Sequence, residues 1–504
     1  MIPFSLQSHL KPTFLLSLST LMLAFAFVFA RSIDKPNEIG NLEQGLTTLD
    51  NTVNRVHAIK RELALVSIPR NSMTLKLCRE VVSHSLLQLA YVQNTMSSMM
   101  MTADQATTAQ MAVTAANTYL RTCKQALDEA GENNHGPFGS VISLLTAPGT
   151  DECARSQIIS QAITDIAKAP GSTTNKQPMA MQAMPGSIFE SIPAMRRVRV
   201  AKDGSGNYTT INDAVKNAPI NQNSYFLIYI EEGTYQEYVV VPIDRPYLIL
   251  AGAGEGKTII TGNRSNVTGW GTYYSATVAI EAQNFIGFNL TIENTAGPQS
   301  YQAVALRTTG SFSVFYCCTI SGFQDTLFVH IGYQFFRECT ITGTIDFIFG
   351  DSSVVFQKCM ILLRQPLDVQ QNVIAASYRN CPTDSTGISI HMSNIVATQD
   401  LKNTTISYLG RSWGKYARTA FLLSNFSVLI DPLRWCVMNG SPANVDFGEF
   451  HNTGLGGGTM AGTKRTMDKK LDQNSAFQFT VDRMLMGGNW INNTTVPYTK
   501  GLFQ

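Results

Sequence analysis

The sequence predicts a mainly β protein, in which a parallel β-helix domain follows an all-α four-helix-bundle domain. Residues 319–328 (TISGFQDTLF) align without gaps with residues 340–349 (TITGTIDFIF), so that Asp325 falls on Asp346. Self-similarity at such a period is typical of a parallel β-helix, whose coils stack on one another. Upstream, apolar residues recur at the spacing of helices rather than strands. We therefore predict a helical domain over residues 40–168, a linker over 170–195 and the β-helix over 197–504.

The N-terminus carries an uncharged apolar run from Thr13 to Ala30, with Lys11 before it and Arg31 after it. This pattern predicts a secretory signal peptide over residues 1–31, or an uncleaved signal anchor. Both alternatives lead into the secretory route, with which nine Asn-x-Ser/Thr acceptor sequences agree. The expected localisation is extracellular, and a membrane contact is expected only through an uncleaved anchor.

Two of the predicted helices each carry a cysteine on the apolar face. The helical spacing is carried by Cys78, Val82, Leu86 and Leu89 in one helix, and by Ala112, Ala115, Tyr119, Cys123 and Leu127 in the other. Segments around residues 42–65 and 156–169 complete a four-helix bundle. In a secreted bundle, Cys78 and Cys123 would form a disulfide between two helices. Two buried free thiols are the alternative.

The stretch between the two domains is rich in Gly, Ser, Thr, Pro and Met and has no periodicity, which is typical of a linker. Arg196 and Arg197 follow it. They are either a site for a processing protease or two exposed charges at the start of a strand, and the sequence favours neither.

A recurring edge in the β-rich region places three cysteines in one column. It is seen at residues 290–292, 318–320, 339–341 and 359–361, in nearly even steps after a longer first one. Neighbouring coils bring Cα atoms within about 4.4–6.8 Å, the range of disulfides. Any neighbouring pair among Cys318, Cys339 and Cys359 could therefore bond.

The polar residues that precede this column predict an active site. Coils stack at roughly 4.8 Å, so Asp325 and Asp346 should lie one above the other. Close carboxylates separate their pKa values, so one can stay ionised as a nucleophile while the other holds a proton as a general acid. Gln302 and Gln324 should lie on the same face, and amide N–H groups can stabilise an oxyanion without adding charge.

Arg411 is the candidate cation of this site. A strict period places it three coils, or roughly 14 Å, from Asp346. It reaches Asp346 only if the intervening coils are longer, which the turn-rich residues 380–387 allow. Trp413, Phe347 and Phe323 either stack on sugar rings or belong to the core, and position alone does not decide.

Other classes of function have little support in the sequence. The formal net charge of +2 gives no reason to expect nucleic acid as a partner. A serine-hydrolase elbow and a zinc-ligand spacing are both missing. Residues 252–258 resemble a phosphate-binding loop, but Ala251 occupies the first required glycine. We expect neither a cofactor nor a metal.

These residues resemble those of the plant pectin methylesterases. The motifs that carry the resemblance include residues 322–327 (GFQDTL), 343–350 (GTIDFIFG) and 409–413 (LGRSW), and the resemblance extends from about residue 200 to residue 497. The helical segment resembles the pectin methylesterase inhibitor domain, which precedes the catalytic domain of many members as a pro-region. The resemblance implies a right-handed parallel β-helix that de-esterifies methylated homogalacturonan in the plant cell wall, with pectin methylesterase inhibitor proteins as candidate partners.

The resemblance also implies roles for single residues. Asp346 matches the nucleophile that attacks the C6 carboxymethyl carbon, and Asp325 matches the acid that protonates methanol and then the base that activates water. Gln324 and Gln302 match the oxyanion donors. Substrate contacts are expected at Thr272, Gln302, Phe347, Arg411 and Trp413. The family's disulfide implies a bond between Cys339 and Cys359.

Three departures from the family pattern affect the rim of the cleft. Phe323 replaces a tyrosine, Ser412 replaces a proline, and residues 376–379 (ASYR) replace Ala-Gln-Gly-Arg. The rival functions are a polygalacturonase, a pectate lyase with a calcium-binding acidic cluster, and a non-catalytic wall-binding or inhibitory protein acting through its helical domain. Neither of the two enzymes explains the paired glutamines, and the non-catalytic alternative is disfavoured by the complete set of Gln302, Gln324, Asp325, Asp346 and Arg411.

Overall fold

In the computed structural model, the chain forms two compact units that divide between Lys176 and Gln177. The structure describes residues 36–67, 72–97, 101–133, 135–147, 151–168, 196–428, 430–436, 444–457, 468–486 and 490–503. The predicted signal segment and the whole of the predicted linker lie outside these residues. Within them, every helix is too short or too polar to cross a bilayer.

The first unit consists of four long helices and one short helix in its described residues. They are α1 (Pro36–Leu65), α2 (Met73–Ser97), α3 (Ala103–Glu129), α4 (Gly139–Thr146) and α5 (Glu152–Lys168). The start of α3 is a capping box, because the hydroxyl of Thr102 accepts from the N–H of Gln105 while the Gln105 side chain accepts from the N–H of Thr102. The apolar faces of α2 and α3 are buried, including Cys78 and Cys123.

Cys78 and Cys123 are bonded to each other, which confirms the predicted disulfide between two helices. We expect the Cys78→Ala/Cys123→Ala variant to lose about 4 kcal/mol of unfolding free energy, because the bond closes a loop whose ends are 45 residues apart. Denaturant unfolding of the full chain, followed by the helical circular dichroism signal, measures this loss. A loss below about 1 kcal/mol would contradict the expectation, since it falls short of the usual range for a native disulfide.

The second unit is built from short strands that repeat around a coil. In chain order the first strands are β1 (Arg196–Val200), β2 (Phe226–Ile230), β3 (Gly233–Gln236), β4 (Val239–Val241), β5 (Leu248–Gly252), β6 (Thr258–Gly262), β7 (Val278–Ile280), β8 (Ile286–Phe288), β9 (Thr291–Asn294), β10 (Leu306–Thr308), β11 (Ser313–Tyr316), β12 (Thr319–Ser321), β13 (Leu327–Val329) and β14 (Tyr333–Arg337). The remaining strands are β15 (Thr340–Gly343), β16 (Ile348–Gly350), β17 (Ser353–Gln357), β18 (Met360–Leu363), β19 (Asn372–Ser377), β20 (Gly387–His391), β21 (Asn394–Ala397), β22 (Ser407–Ser412), β23 (Arg418–Leu422), β24 (Asn425–Phe426), β25 (Trp435–Cys436), β26 (Asp446–Phe450), β27 (Thr453–Gly454) and β28 (Asp468–Lys470). In the described part of this unit, four short helices accompany the strands: α6 (Ile211–Lys216), α7 (Gly271–Tyr274), α8 (Gln473–Phe477) and α9 (Val481–Met484).

These strands form three parallel sheets, because each strand pairs with the strand one coil later. The first sheet runs from β1 through β2 and every third strand after it to β26, and ends at β28. The second sheet takes every third strand from β4 to β25, and the third takes every third strand from β3 to β27. This arrangement confirms the predicted parallel β-helix.

The register confirms the repeat seen in the sequence. Thr319 pairs with Thr340, and Leu327 pairs with Ile348, both as the alignment of the two similar stretches predicts. Side chains that alternate inward along these strands fill one continuous core, in which identical residues stack from coil to coil. Phe315, Phe336 and Phe356 form such a stack, with ring centroids 4.7 Å apart at both steps.

The predicted bond between Cys339 and Cys359 is wrong in this structure, where Cys318, Cys339 and Cys359 are all free thiols. The column itself is present and buried in the core. The thiols of Cys339 and Cys359 donate instead to backbone carbonyls of Phe315 and Phe336, at 3.3 Å and 3.5 Å. Burial also raises the pKa of Cys339 well above its ordinary value, which keeps it in the unreactive thiol form.

Candidate active site

Two aspartates occupy equivalent turns on neighbouring coils. Asp325 lies two residues before β13 and Asp346 two residues before β16, and these strands are paired. Both residues adopt the left-handed conformation, with φ of 62° and 49°, which aspartate tolerates better than most residues. The N–H of Asp325 donates to the carbonyl of Ile345 at 2.9 Å, which ties the two turns together. Both aspartates are buried.

The glycines that bracket the Asp346 turn are required by close packing. A Cβ on Gly343 would lie 2.2 Å from the Cβ of Phe347, and one on Gly350, at φ 141°, would lie 1.8 Å from the carbonyl oxygen of Val329. Phe347 packs inward against this gap and has no exposed surface. Its predicted contact with substrate is therefore wrong, because the turn at Asp346 places the Phe347 side chain in the core.

Arg411 binds the Asp346 carboxylate through two of its nitrogens. Nε donates to Oδ1 at 2.8 Å and Nη2 donates to Oδ2, in the forked geometry of the strongest arginine–carboxylate pairs. β22, which carries Arg411, pairs with β19, which in turn pairs with β16. Arg411 is therefore two coils from Asp346 and not the three that a strict period gives, because the intervening coils are longer.

The ion pair and its burial shift the pKa values of both partners. Burial raises the pKa of the Asp346 carboxyl, while the hydrogen bonds and charge of Arg411 act in the opposite direction and only partly offset it. Burial disfavours the charged form of the Arg411 guanidinium and so acts to lower its pKa. Its hydrogen bonds to Asp346 and the charges of Asp346, Cys436 and Asp325 outweigh this effect and raise the pKa above the ordinary value. The guanidinium therefore lies within electrostatic range of both aspartates.

Gln302 precedes β10 and Gln324 precedes β13, and these two strands are paired. The backbone carbonyl of Gln324 accepts from the N–H of Ala303 at 3.2 Å, which aligns Gln302 and Gln324 on neighbouring coils. The side-chain Oε1 of Gln302 accepts from Asn266 Nδ2 at 3.1 Å. Within the described part of the chain, the amide nitrogens of both glutamines have no acceptor and are available to donate to a ligand.

Aromatic rings extend from the aspartates along the second sheet. Trp413, half-buried, lies 4.1 Å from Tyr378, 5.8 Å from Phe349 and 6.5 Å from Phe328, measured between ring centroids. Trp413 was predicted from the sequence as a sugar-stacking residue, whereas the other three rings were not. Phe328 and Phe349 could have been found, because they occupy the outward positions of strands whose inward residues were evident from the repeat.

The remaining predicted residues lie at the margins of this group. Thr272 is on α7 and is buried. Phe323 is half-exposed, and the guanidinium of Arg364 lies 3.8 Å from its ring centroid. Tyr378, one of the departures at residues 376–379, supplies the ring that packs against Trp413.

The family model described as Pectinesterase matches residues 197–489. The chain belongs to the pectinesterase family. It is 42% identical over 313 residues to "Probable pectinesterase/pectinesterase inhibitor 41" of Arabidopsis thaliana, a match that covers 60% of this chain and 55% of that relative. With "Probable pectinesterase/pectinesterase inhibitor 20" of the same plant it is 37% identical over 417 residues, covering 78% of this chain and 74% of the relative. The chain thus spans about half the length of the first relative.

A solved structure supports the same relationship for the β-helix unit. "Pectin methylesterase from Carrot" superposes with a TM-score of 0.60 at 39% identity, covering 61% of this chain and 99% of the carrot chain. The longer Arabidopsis match exceeds the β-helix unit in length and so includes part of the helical unit. The names of these relatives combine a pectinesterase with a pectinesterase inhibitor. Together with the extent of the match, this fits an inhibitor-like pro-region for the helices.

Proposed function

We propose that this protein hydrolyses the methyl esters of homogalacturonan and releases methanol. The observation that carries the proposal is the arrangement of Asp346, bound by Arg411, in register with Asp325 on the next coil. Gln302 and Gln324 add two free amide donors beside this pair. Membership of the pectinesterase family supports the same reaction.

Asp346 is the nucleophile of the proposed mechanism. A carboxylate oxygen of Asp346 forms a bond to the C6 carbonyl carbon of the ester, and the carbonyl oxygen becomes an oxyanion that the amide groups of Gln302 and Gln324 stabilise. When this intermediate collapses, the bond to methoxide breaks and Asp325 gives its proton to the departing methanol. The product of this half-reaction is an anhydride between Asp346 and the substrate acyl group.

Asp325, now ionised, is the base of the second half-reaction. It takes a proton from water, whose oxygen forms a bond to the same carbonyl carbon, and the anhydride bond to Asp346 breaks. A free galacturonate carboxyl group leaves, and both aspartates return to their starting protonation states. The burial that raises the pKa of Asp346 makes its carboxylate more basic, and Arg411 keeps that carboxylate ionised and oriented.

Methanol release from methyl-esterified homogalacturonan is the direct test. Purified full-length protein should produce methanol and new carboxyl groups in equal amounts without shortening the polymer. Shortening of unesterified polygalacturonate would instead favour a polygalacturonase or a lyase. Binding to pectin without methanol release would favour a non-catalytic wall-binding protein. We propose secretion to the cell wall as the setting for this activity.

Arg411→Gln should shift the pH dependence of the reaction. Only ionised Asp346 is a nucleophile, so activity falls as pH drops through its pKa, which already lies above the ordinary value. Removing the guanidinium removes the influence that lowers this pKa, so the acidic limb of kcat/KM should move to higher pH. Methanol release measured across pH shows the shift. Arg199→Gln, which breaks an exposed ion pair with Glu231, is the control, and equal profiles for the two variants would contradict the expectation.

A further inference from the structure

A turn beside the candidate active site contacts one of its two glutamines. This rim turn, residues 263–270, leaves β6 and leads into α7, one coil before Gln302. The N–H of Asn266 donates to the backbone carbonyl of Gln302 at 2.9 Å, and the Asn266 side-chain nitrogen Nδ2 donates to Gln302 Oε1 at 3.1 Å. Asn266 itself is exposed, whereas Gln302 is half-buried.

The rim turn is held by contacts that do not involve the Asn266 side chain. The guanidinium of Arg264 lies 3.5 Å from the ring centroids of both Tyr238 and Trp270, a double cation–aromatic contact. Asn294 Nδ2 donates to the backbone carbonyl of Arg264 at 2.8 Å. The turn is therefore a rigid support, and its fold should survive changes at the Asn266 side chain.

In this structure the side-chain bond engages the oxygen of the Gln302 amide and leaves its nitrogen free. A carboxamide has one acceptor oxygen and one donor nitrogen at nearly the same distance from its carbon, so rotation by half a turn exchanges them. Asn266 Nδ2 is a donor and engages the oxygen. It thereby disfavours the rotated amide, in which the oxygen would face the reacting carbonyl and repel the developing oxyanion.

We propose that Asn266 is a positioning residue, which orients the carboxamide of Gln302 so that its N–H groups face the substrate oxyanion. This proposal rests on the proposed esterase function and adds a residue that does not itself touch the reacting atoms. A pre-oriented donor contributes to the transition state without reorganising, which is the basis of oxyanion stabilisation in enzymes. The main-chain bond from Asn266 holds the backbone of Gln302, and the side-chain bond sets the orientation of its amide.

The test compares Asn266→Ala and Asn266→Asp in methanol release. Loss of one hydrogen bond should lower kcat about 2- to 10-fold with little change in KM, because the affected interaction strengthens only in the transition state. Asn266→Asp should lower kcat at least as much, since a carboxylate accepts from the Gln302 N–H groups and turns them away from the substrate. Val267→Ala, at an exposed neighbouring position of the turn, should match the wild type.

A double-variant cycle separates positioning from a structural role. In a Gln302→Ala background the amide is absent, so Asn266→Ala should have no further effect on kcat. An equal effect in both backgrounds would overturn the proposal, as would wild-type kcat for Asn266→Ala in an active enzyme. A folded wild-type protein that releases no methanol would overturn the proposed function, and this proposal with it. All proteins should come from a host without N-glycosylation, because Asn266 begins an acceptor sequence whose glycan would attach to the same nitrogen.

Discussion

Asp346→Asn is expected to abolish methanol release from methyl-esterified homogalacturonan while the β-helix stays folded. The two side chains have nearly the same shape, so the turn before β16 and its neighbouring glycines can pack as before. The amide cannot form the anhydride, so the covalent route is closed. A folded variant that keeps more than about a tenth of wild-type activity would contradict the mechanism, because general acid–base help alone is worth more than that.

The same substitution also leaves the half-buried guanidinium of Arg411 without its counter-charge, and breaking such a pair can destabilise a protein by about 3–5 kcal/mol. Asp346→Asn/Arg411→Gln removes both charges and should recover much of that stability without recovering activity. Asp446→Asn is the matched control, since it breaks a partly buried pair with Arg418 on the first sheet, away from the site. This variant should keep its activity. Recovery of activity in the double variant would show that the loss came from unfolding.

The repeat in the sequence predicted those parts of the site that depend on register alone. A constant offset between two similar stretches predicts which residues of neighbouring coils stack on each other. The structure has this register, because β13 pairs with β16 at the predicted offset. The same reasoning located the cysteine column, because the regular register places each cysteine directly beside the one on the preceding coil. Local periodicity was equally sufficient for the disulfide between α2 and α3, where the two cysteines lie on buried helical faces.

Features that depend on coil length or on side-chain direction could not be predicted in this way. The coils between Asp346 and Arg411 are irregular, so a fixed period gave the wrong number of coils between them. Phe347 has an aromatic ring of the kind that stacks on sugars, yet the turn at Asp346 points this ring into the core. Asn266 belongs to a turn with no repeat partner in the sequence, so its contact with Gln302 became visible only in three dimensions.

Asp325→Asn should lower methanol release by about 100- to 10,000-fold, because the leaving methoxide loses its proton donor. Asp325 is buried at the turn before β13, and its N–H is bonded to the carbonyl of Ile345, a main-chain contact that the substitution keeps. The loss should therefore come from chemistry and not from unfolding, which a thermal melt of the variant would verify.

The two proposed roles of Asp325 can be separated by the leaving group. A trifluoroethyl ester of homogalacturonan expels an alcohol that needs little protonation, so the first half-reaction of Asp325→Asn should be largely restored on this substrate. The second half-reaction still lacks its base, and alcohol release should show a burst of about one equivalent per enzyme followed by a slow steady state. Asp346→Asn should show no burst on either ester. Equal losses for Asp325→Asn on both esters, without a burst, would exclude Asp325 as the proton donor and leave it only an electrostatic influence on Arg411.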